Sequence, residues 1–488
     1  MKLNSIQLEM VKAFESKVLR STTSSRGILC APTGTGKTGV ARAIFNLFGQ
    51  VLLGQKRVKR QVKGVSLFLT PRIGLTNQQA NAITNFNIED VEYLDVPLVT
   101  KIIHSGISHH SKEYTNLLNF VETQKGKGNY VVLVCTYQSA SAFLKKFEFD
   151  SIVCDEAHYV VSKEFNSTVI NDLDQNAIRI FMTATPKEIK GENTIGLNNS
   201  VMYGEYLKTI SPSVAISRRL IVAPRLHIFN AFGDVDEENT IVSQVNHVYT
   251  YHRNFNTKIQ AKVIFAMSGT ADVDVIRQHA TKIATANNCT VFSIISNDNC
   301  GFINGVSVSR EELLDGINNC KTGAIICHYN ILSEGLDVDG ITGVCIMRNT
   351  SLITSVQTIG RALRIYHLDR QEDGYAKPIE DRVKQHALVT LVVYNDNTGM
   401  KEMVKPFVQA IRKSGFDFFK EDILISSPRH KGTDESGMGE TMNDKEAEEP
   451  KLKYQVELDA IQSEIETDEE LEAEIEWKNN ANPDDLGW

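Results

Sequence analysis

Ala31-Pro32-Thr33-Gly34-Thr35-Gly36-Lys37-Thr38 follows the apolar run GILCA (27–31) and leads into GVARAIFNLF (39–48). A turn whose amides converge on phosphate oxygens needs residues that tolerate positive φ and close approach, and Gly34 and Gly36 supply them. Lys37 is then placed to reach β- and γ-phosphates, and the Thr38 hydroxyl to ligate Mg²⁺. The stretch after the loop has helical character, so its positive N-terminal end faces the same phosphates. A chance glycine-rich turn would not combine the strand before, the helix after and the Gly-Lys-Thr core.

A second polar group stands at the end of another apolar run. Asp155-Glu156-Ala157-His158 closes SIVCD (151–155), where an open parallel sheet places its ligand groups. Asp155 is suited to hold Mg²⁺ from its second shell, and Glu156 to polarise an attacking water. A carboxylate pair after a strand is often only a favourable helix N-terminus. Its place downstream of the phosphate loop favours catalysis, and the two elements together mean nucleotide hydrolysis.

Outward from these two sites the same pattern repeats. VSLFLT (65–70), YVVLVCT (130–136) and RIFMT (179–183) complete a first series of short apolar runs. KVIFAM (262–267), TVFSII (290–295), GAIICH (323–328), GVCIM (343–347) and ALVTLVVY (387–394) form a second. Continuous apolar runs separated by helix-length segments predict parallel strands buried on both faces, hence two α/β domains in tandem. The boundaries expected are 1–205, 206–425 and a tail, 426–488, with a helical segment around MVKPFVQAIRKSG closing the second domain.

Composition agrees with this reading. At 488 residues, 42% hydrophobic and 23% charged, with 11 prolines, the chain is ordinary globular material and not a fibrous or proline-rich one. No uncharged apolar stretch approaches the ~18 residues that span a bilayer, and MKLNSIQLEM lacks the apolar core of a signal peptide, so a soluble intracellular protein is expected. The eight cysteines contain no C-x-x-C pair and sit mostly in apolar runs, the pattern of buried thiols rather than of a zinc site or disulfides. The net charge of −8 is unevenly spread: residues 433–488 hold 19 acidic and 4 basic residues, leaving a net of +7 on the rest. A mildly basic body meeting a polyanion, with an acidic tail, follows.

The ordered set of motifs resembles the superfamily-two helicases and translocases over most of residues 1–400. Gln7 in SIQLEMVKAF resembles that family's adenine-reading glutamine, with Asn4 where an arginine is common. PTGTGKT and DEAH resemble its first two motifs. Thr183-Ala184-Thr185-Pro186 resembles the third, which couples hydrolysis to nucleic acid. Thr70-Pro71-Arg72 and Thr136-Tyr137-Gln138 resemble strand-contacting motifs, the latter of DNA-directed members. Ser333-Glu334-Gly335-Leu336-Asp337 resembles the fifth motif, with Gly335 and Asp337 near the nucleotide, and Gln357-Thr358-Ile359-Gly360-Arg361-Ala362-Leu363-Arg364 the sixth. Arg361 and Arg364, three apart, share a helical face and suit the role of arginine fingers.

The resemblance implies two RecA-like domains, ATP and Mg²⁺ as cofactors, His158, Thr183, Thr185 and Gln357 as coupling residues, and 3′→5′ movement. DNA, single-stranded or branched, is the expected partner. The Thr-Tyr-Gln motif, Tyr203-Gly204-Glu205-Tyr206 and residues 215–220 look more like DNA translocases, including phage helicases and restriction-enzyme motor subunits. An RNA helicase and a non-unwinding remodeller are the alternatives. Lys56-Arg57-Val58-Lys59-Arg60, with Lys63, is either a backbone-contacting cluster or a solvated loop. His104, His109 and His110 read as surface residues. The tail, ending Asp484-Asp485-Leu486-Gly487-Trp488, is a solubilising segment or one that imitates single-stranded nucleic acid in a basic groove, this chain's own or a protein partner's.

Overall fold

The continuous apolar runs become the central strands of two sheets in a computed structural model of the chain. It describes residues 2–426 except 22–23, 60, 86–94, 105–111, 146, 190–193, 232–236, 295–299, 330–337, 348–351, 395–406, 409–410, 412–414 and 417–422. Gly335, Asp337, Arg60, His109, His110, most of MVKPFVQAIRKSG and the acidic tail therefore lie outside the described residues. Two compact units emerge. One comprises Met1–Ala223, Ile331–Ile341 and Ile353–Ala387; the other Pro224–Asn330, Thr342–Leu352 and Leu388–Trp488.

The first unit holds seven strands: β1 (Arg26–Cys30), β2 (Val65–Thr70), β3 (Leu98–Ile103), β4 (Tyr130–Thr136), β5 (Ser151–Cys154), β6 (Ile178–Thr183) and β7 (Glu205–Thr209). They pair in parallel in the order β3-β4-β2-β5-β6-β1-β7. β2, β4, β5 and β6 are buried at every position, as their unbroken apolar sequences require. Among the helices, α1 (Ser5–Phe14) begins with a capping box in which Asn4 and Gln7 bond each other's backbone amides. α2 (Lys37–Leu52) follows the glycine loop and α3 (Ile73–Asn85) follows β2. Glu9 ties α1 to Lys208 at 2.7 Å and to Arg218.

At the amino ends of the central strands a buried carboxylate sets their register. Asp150 accepts from the amides of Lys63 (2.6 Å), Gly64 (2.8 Å) and Val65 (3.1 Å) and from the Tyr130 hydroxyl (3.0 Å). Tyr130 and Ser151 both bond the Ser66 hydroxyl. One side chain thus satisfies the start of β2 and reaches β4, while burial pushes its pKa up against those hydrogen bonds. Lys63, expected in a basic surface cluster, instead pairs with Asp174 at 2.9 Å, and Lys56 with Glu15 at 2.5 Å.

The second unit carries β8 (Ala223–Ala231), β9 (Lys262–Ala266), β10 (Cys289–Ile294), β11 (Cys300–Ile303), β12 (Val306–Ser309), β13 (Gly323–His328), β14 (Gly343–Ile346), β15 (His386–Tyr394) and β16 (Ile423–Ser426). Their order is β12-β11-β10-β13-β9-β14-β15-β8-β16. The sheet is mixed, because the hairpin β11–β12 pairs antiparallel at one end. The Thr390 hydroxyl on β15 bridges His227 (2.9 Å) and His252 (2.8 Å), so one ring receives its proton and the other donates. Burial holds both rings far below the usual imidazole range, and both stay neutral at neutral pH. Of the seven cysteines whose side chains are described, all but Cys320 are buried.

Asp150→Ala would remove the acceptor of three amides, two of them buried. Chemical denaturation should show a loss of about 3 kcal/mol or more, whereas a shift within error would mean that water replaces the carboxylate.

Candidate active site

Because β6 lies between β5 and β1, the carboxyl ends of all three stand side by side. There the loop of residues 31–38, the Asp155-Glu156 pair and Thr183-Ala184-Thr185 meet, at the edge where open α/β sheets bind ligands. Gly34 and Gly36 have φ of 90° and 82°, as the sequence required. A side chain at Gly36 would also run into the Gln7 carboxamide, whose Nε2 donates to the Gly36 carbonyl at 2.9 Å. Thr35 Oγ1 donates to Pro32 O at 2.7 Å and Lys37 Nζ to Ala31 O at 3.1 Å, closing the loop on itself.

A cavity of about 740 Å³ opens beside this loop. Thr33, Gly34, Thr35, Gly36, Lys37 and Thr38 line it, together with Asp155 and Glu156. Gln7 and Asn4 line it as well, as do Gln357, Arg361 and Arg364. Fourteen of the residues named from the sequence, Pro71 among them, thus line one space.

The two carboxylates are held differently. Asp155 extends β5: its amide bonds Leu69 O at 2.9 Å, its carbonyl accepts from the Tyr137 hydroxyl at 2.7 Å, and its Oδ2 accepts from Gln79 at 3.3 Å. Burial, then the neighbouring Glu156, push its pKa well up, with Lys37 opposing. Glu156 adopts the left-handed conformation, φ 48°, rare for a residue with a Cβ and typical of functional turns. Its Oε2 is buried with no hydrogen-bond partner, 3.6 Å from His158 Nδ1.

His158 joins three motifs. Nδ1 meets Thr183 Oγ1 at 3.3 Å, Nε2 meets the Gln357 amide at 3.2 Å, and Thr183 Oγ1 accepts from the Thr185 amide at 3.1 Å. The Gln357 amide donating to Nε2 leaves the proton on Nδ1. Burial keeps the ring below the usual imidazole pKa, with Glu156 opposing and Lys37 adding to it.

Gln357 and Arg361 lie on the helix Leu352–Ala362, and Arg364 lies two residues past its end. A Cβ at Gly360 would come within 2.7 Å of Thr33 Cβ, so only glycine lets this helix rest against the phosphate loop. These residues group with the first unit although the sequence suggested a boundary at 205. Their bonds explain it: besides His158–Gln357, Val222 N reaches Leu363 O at 2.9 Å, Ser5 N the Tyr375 hydroxyl at 2.7 Å, and Ala376 N Arg219 O at 2.8 Å.

The strand-contact expectation divides. Thr136 caps the helix Tyr137–Leu144 through the Ser139 amide, and Tyr137 is fully buried with its hydroxyl on Asp155 O, so both serve the site's framework. Gln138 and Arg72 are exposed. Sequence reasoning missed Gln79, the turn Arg370–Gly374 that lines the cavity, and Lys384, whose buried ammonium caps the helix Leu352–Ala362. Only an unusual charge inside an apolar surrounding marks Lys384, and its neighbours in sequence, DRVKQH, are polar.

Residues 1–188 match the family model of the Type III restriction enzyme res subunit. No curated protein sequence matches the chain. Among solved structures, the ATP-dependent Type ISP restriction-modification enzyme LlaBIII bound to DNA aligns over 89% of this chain, with TM-score 0.63 and 16% identity. The chain covers 32% of that enzyme, about a third of its length. Mss116p bound to ssRNA and AMP-PNP gives 0.53 at 14% identity over 88% of this chain and 75% of its own. A fragment assigned as the HsdR subunit of a type I restriction enzyme from Vibrio vulnificus YJ016 gives 0.53 at 19% over 86% and 68%. At such identities the likeness is one of fold: the chain has the α/β, RecA-like architecture of these proteins. Among the described residues no helix is long and apolar enough to cross a membrane.

Burial pulls the Lys384 pKa from the usual lysine value down to about 7. Between that value and the ordinary ~10.4 of an unfolded chain, the unfolded state binds the extra proton, so stability rises with pH across this window. Denaturant melts of wild type and Lys384→Met should therefore diverge in favour of wild type as pH climbs from neutral toward 10, by at most about 1.4 kcal/mol per pH unit; parallel curves would contradict the burial.

Proposed function

We propose that the chain is an ATP-driven motor that moves along DNA, hydrolysing ATP in the cavity beside residues 31–38. The convergence of Lys37, Asp155, Glu156, Arg361 and Arg364 on that single space carries the reading. Its volume lies within the about 300–1,000 Å³ usual for small-molecule sites. The likeness to the Type ISP restriction-modification enzyme LlaBIII, whose structure is bound to DNA, supports DNA as the polymer.

The loop amides and Lys37 bind the β- and γ-phosphates. Two adjacent carboxylates, the buried Asp155 with its pKa pushed up and the half-buried Glu156 with one oxygen left unpartnered, are a donor set suited to a divalent cation. Thr38 and Asp155 would hold Mg²⁺, which when bound neutralises phosphate charge. Glu156 orients a water toward the γ-phosphorus and takes up its proton; the P–O bond to the β-phosphate breaks, giving ADP and phosphate. Arg361 and Arg364 stabilise the charge that spreads over the transferring group.

Gln7 keeps one amide hydrogen and one carbonyl lone pair beyond those used by Gly36 and Asn4. They complement N7 and the N6 amino group of adenine. Loss of the γ-phosphate removes the anion that the arginines face and weakens their hold, which the His158–Gln357–Thr183 bonds transmit to β6. Gln138 and Arg72 are the exposed candidates for backbone contact, where phosphate and sugar contacts carry little sequence information.

Steady-state ATPase with single-stranded DNA, duplex DNA or RNA tests this. DNA should stimulate hydrolysis, and Lys37→Ala and Glu156→Gln should each reduce it by about 10² or more. Strand displacement on tailed duplexes should proceed 3′→5′. Stimulation by RNA alone would reassign the polymer. Hydrolysis indifferent to every polymer would overturn the motor.

A further inference from the structure

Lys384 is 1% exposed, and hydrolysis as derived above does not use it. Its Nζ donates to the carbonyls of Ala362 (2.5 Å) and Arg364 (2.8 Å). Ala362 ends the helix that carries Gln357 and Arg361, where carbonyls lack partners within the helix and its negative pole gathers. A lysine at the surface could serve that pole while keeping its water. Burying the ammonium forfeits hydration, and an apolar side chain of similar size is commonly as stabilising in such a place. What an apolar side chain lacks is two directed donors.

The origin of those donors is itself fixed. Asp369, fully buried, accepts from the amides of Val383 (2.7 Å) and Lys384 (2.8 Å). Its segment follows Arg364 closely in sequence, so carboxylate and ammonium together pin the backbone from Ala362 to Lys384 at both ends. Between the pins, Tyr375 reaches the amide of Ser5 at the start of α1. Asp339, Asp369 and Arg364 are the charged groups around the ammonium.

We propose that Lys384 is a positioning residue for hydrolysis: by holding the backbone at Ala362 and Arg364 it keeps Arg361 and Arg364 aimed at the γ-phosphate. The inference rests on the reading of the cavity as an ATP-hydrolysing site. Displacing a stabilising group by about 1 Å is worth up to about 10²-fold in rate, and that sets the scale of its effect.

Full-length wild type, Lys384→Met and Lys384→Gln are compared for polymer-stimulated kcat, KM for ATP and affinity for a fluorescent ATP analogue. In Lys384→Met kcat should fall about 10- to 100-fold, with KM and analogue affinity changing by no more than about twofold. Lys384→Gln, which keeps an amide donor, should lose less. In an Arg361→Ala/Arg364→Ala chain the methionine should add no further loss, since its whole effect passes through the arginines. Thermal melts monitor the fold, and a methionine variant that melts early hands this comparison to the glutamine variant. Unchanged kcat, or a loss that multiplies with that of the arginines, would overturn the proposal. A wild type that binds the analogue but never hydrolyses ATP would overturn the hydrolase reading and this inference with it. Hydrolysis intact in both wild type and Lys384→Met would sink this inference alone.

Discussion

Two carboxylates, Asp155 and Glu156, stand next to each other at the end of a buried strand, and their repulsion in a poorly hydrated place is the constraint around which the first unit is organised. Such a pair is unfavourable unless positive charge faces it. Lys37 provides part of that charge, from a loop that closes only because Gly34 and Gly36 accept positive φ. The strand order β5-β6-β1 brings loop and carboxylates together, and Glu156 follows Asp155 in a left-handed turn. The arrangement is stable enough to exist and charged enough to want phosphate and a cation.

The rest of the unit supports that edge from behind and from the side. From behind, the Asp150 carboxylate gathers the amides where β2 begins and reaches β4, so the strand ends are fixed by hydrogen bonds rather than by packing alone. From the side, the helix Leu352–Ala362 lies against the phosphate loop at Gly360 and is closed at its far end by Lys384. His158 then joins Thr183 on β6 to Gln357 on that helix, a contact that senses both. Buried polar groups of this kind define one geometry because each has a partner in it and few elsewhere.

Much of this was legible in the sequence because strands buried on both faces must be apolar throughout. The ten runs read as strands, from GILCA to ALVTLVVY, all form strands. Strands at sheet edges were missed for the complementary reason. Leu98–Ile103, Glu205–Thr209 and Val306–Ser309 carry polar or exposed residues on at least one face and have no unbroken run to notice. The glycine loop and the carboxylate pair were legible because backbone geometry dictates residue type there. Tyr137 was not: its motif suggested contact with a strand, while its hydroxyl supports Asp155 from inside. Lys384 and Asp369 were invisible, since only the folded chain brings Lys384 to the end of a helix that closes 22 residues earlier, and Asp369 to the amides of Val383 and Lys384.

The central claim is that the cavity beside residues 31–38 is built for a Mg²⁺–nucleoside triphosphate. Calorimetric titration of AMP-PNP with Mg²⁺ into wild type and Gly36→Val tests it most directly. The account predicts saturable one-to-one binding to wild type, weakened when Mg²⁺ is withheld. It predicts none to the valine variant, whose side chain would meet both the forbidden φ and the Gln7 carboxamide. Equal binding by both chains would place the nucleotide elsewhere and contradict the account.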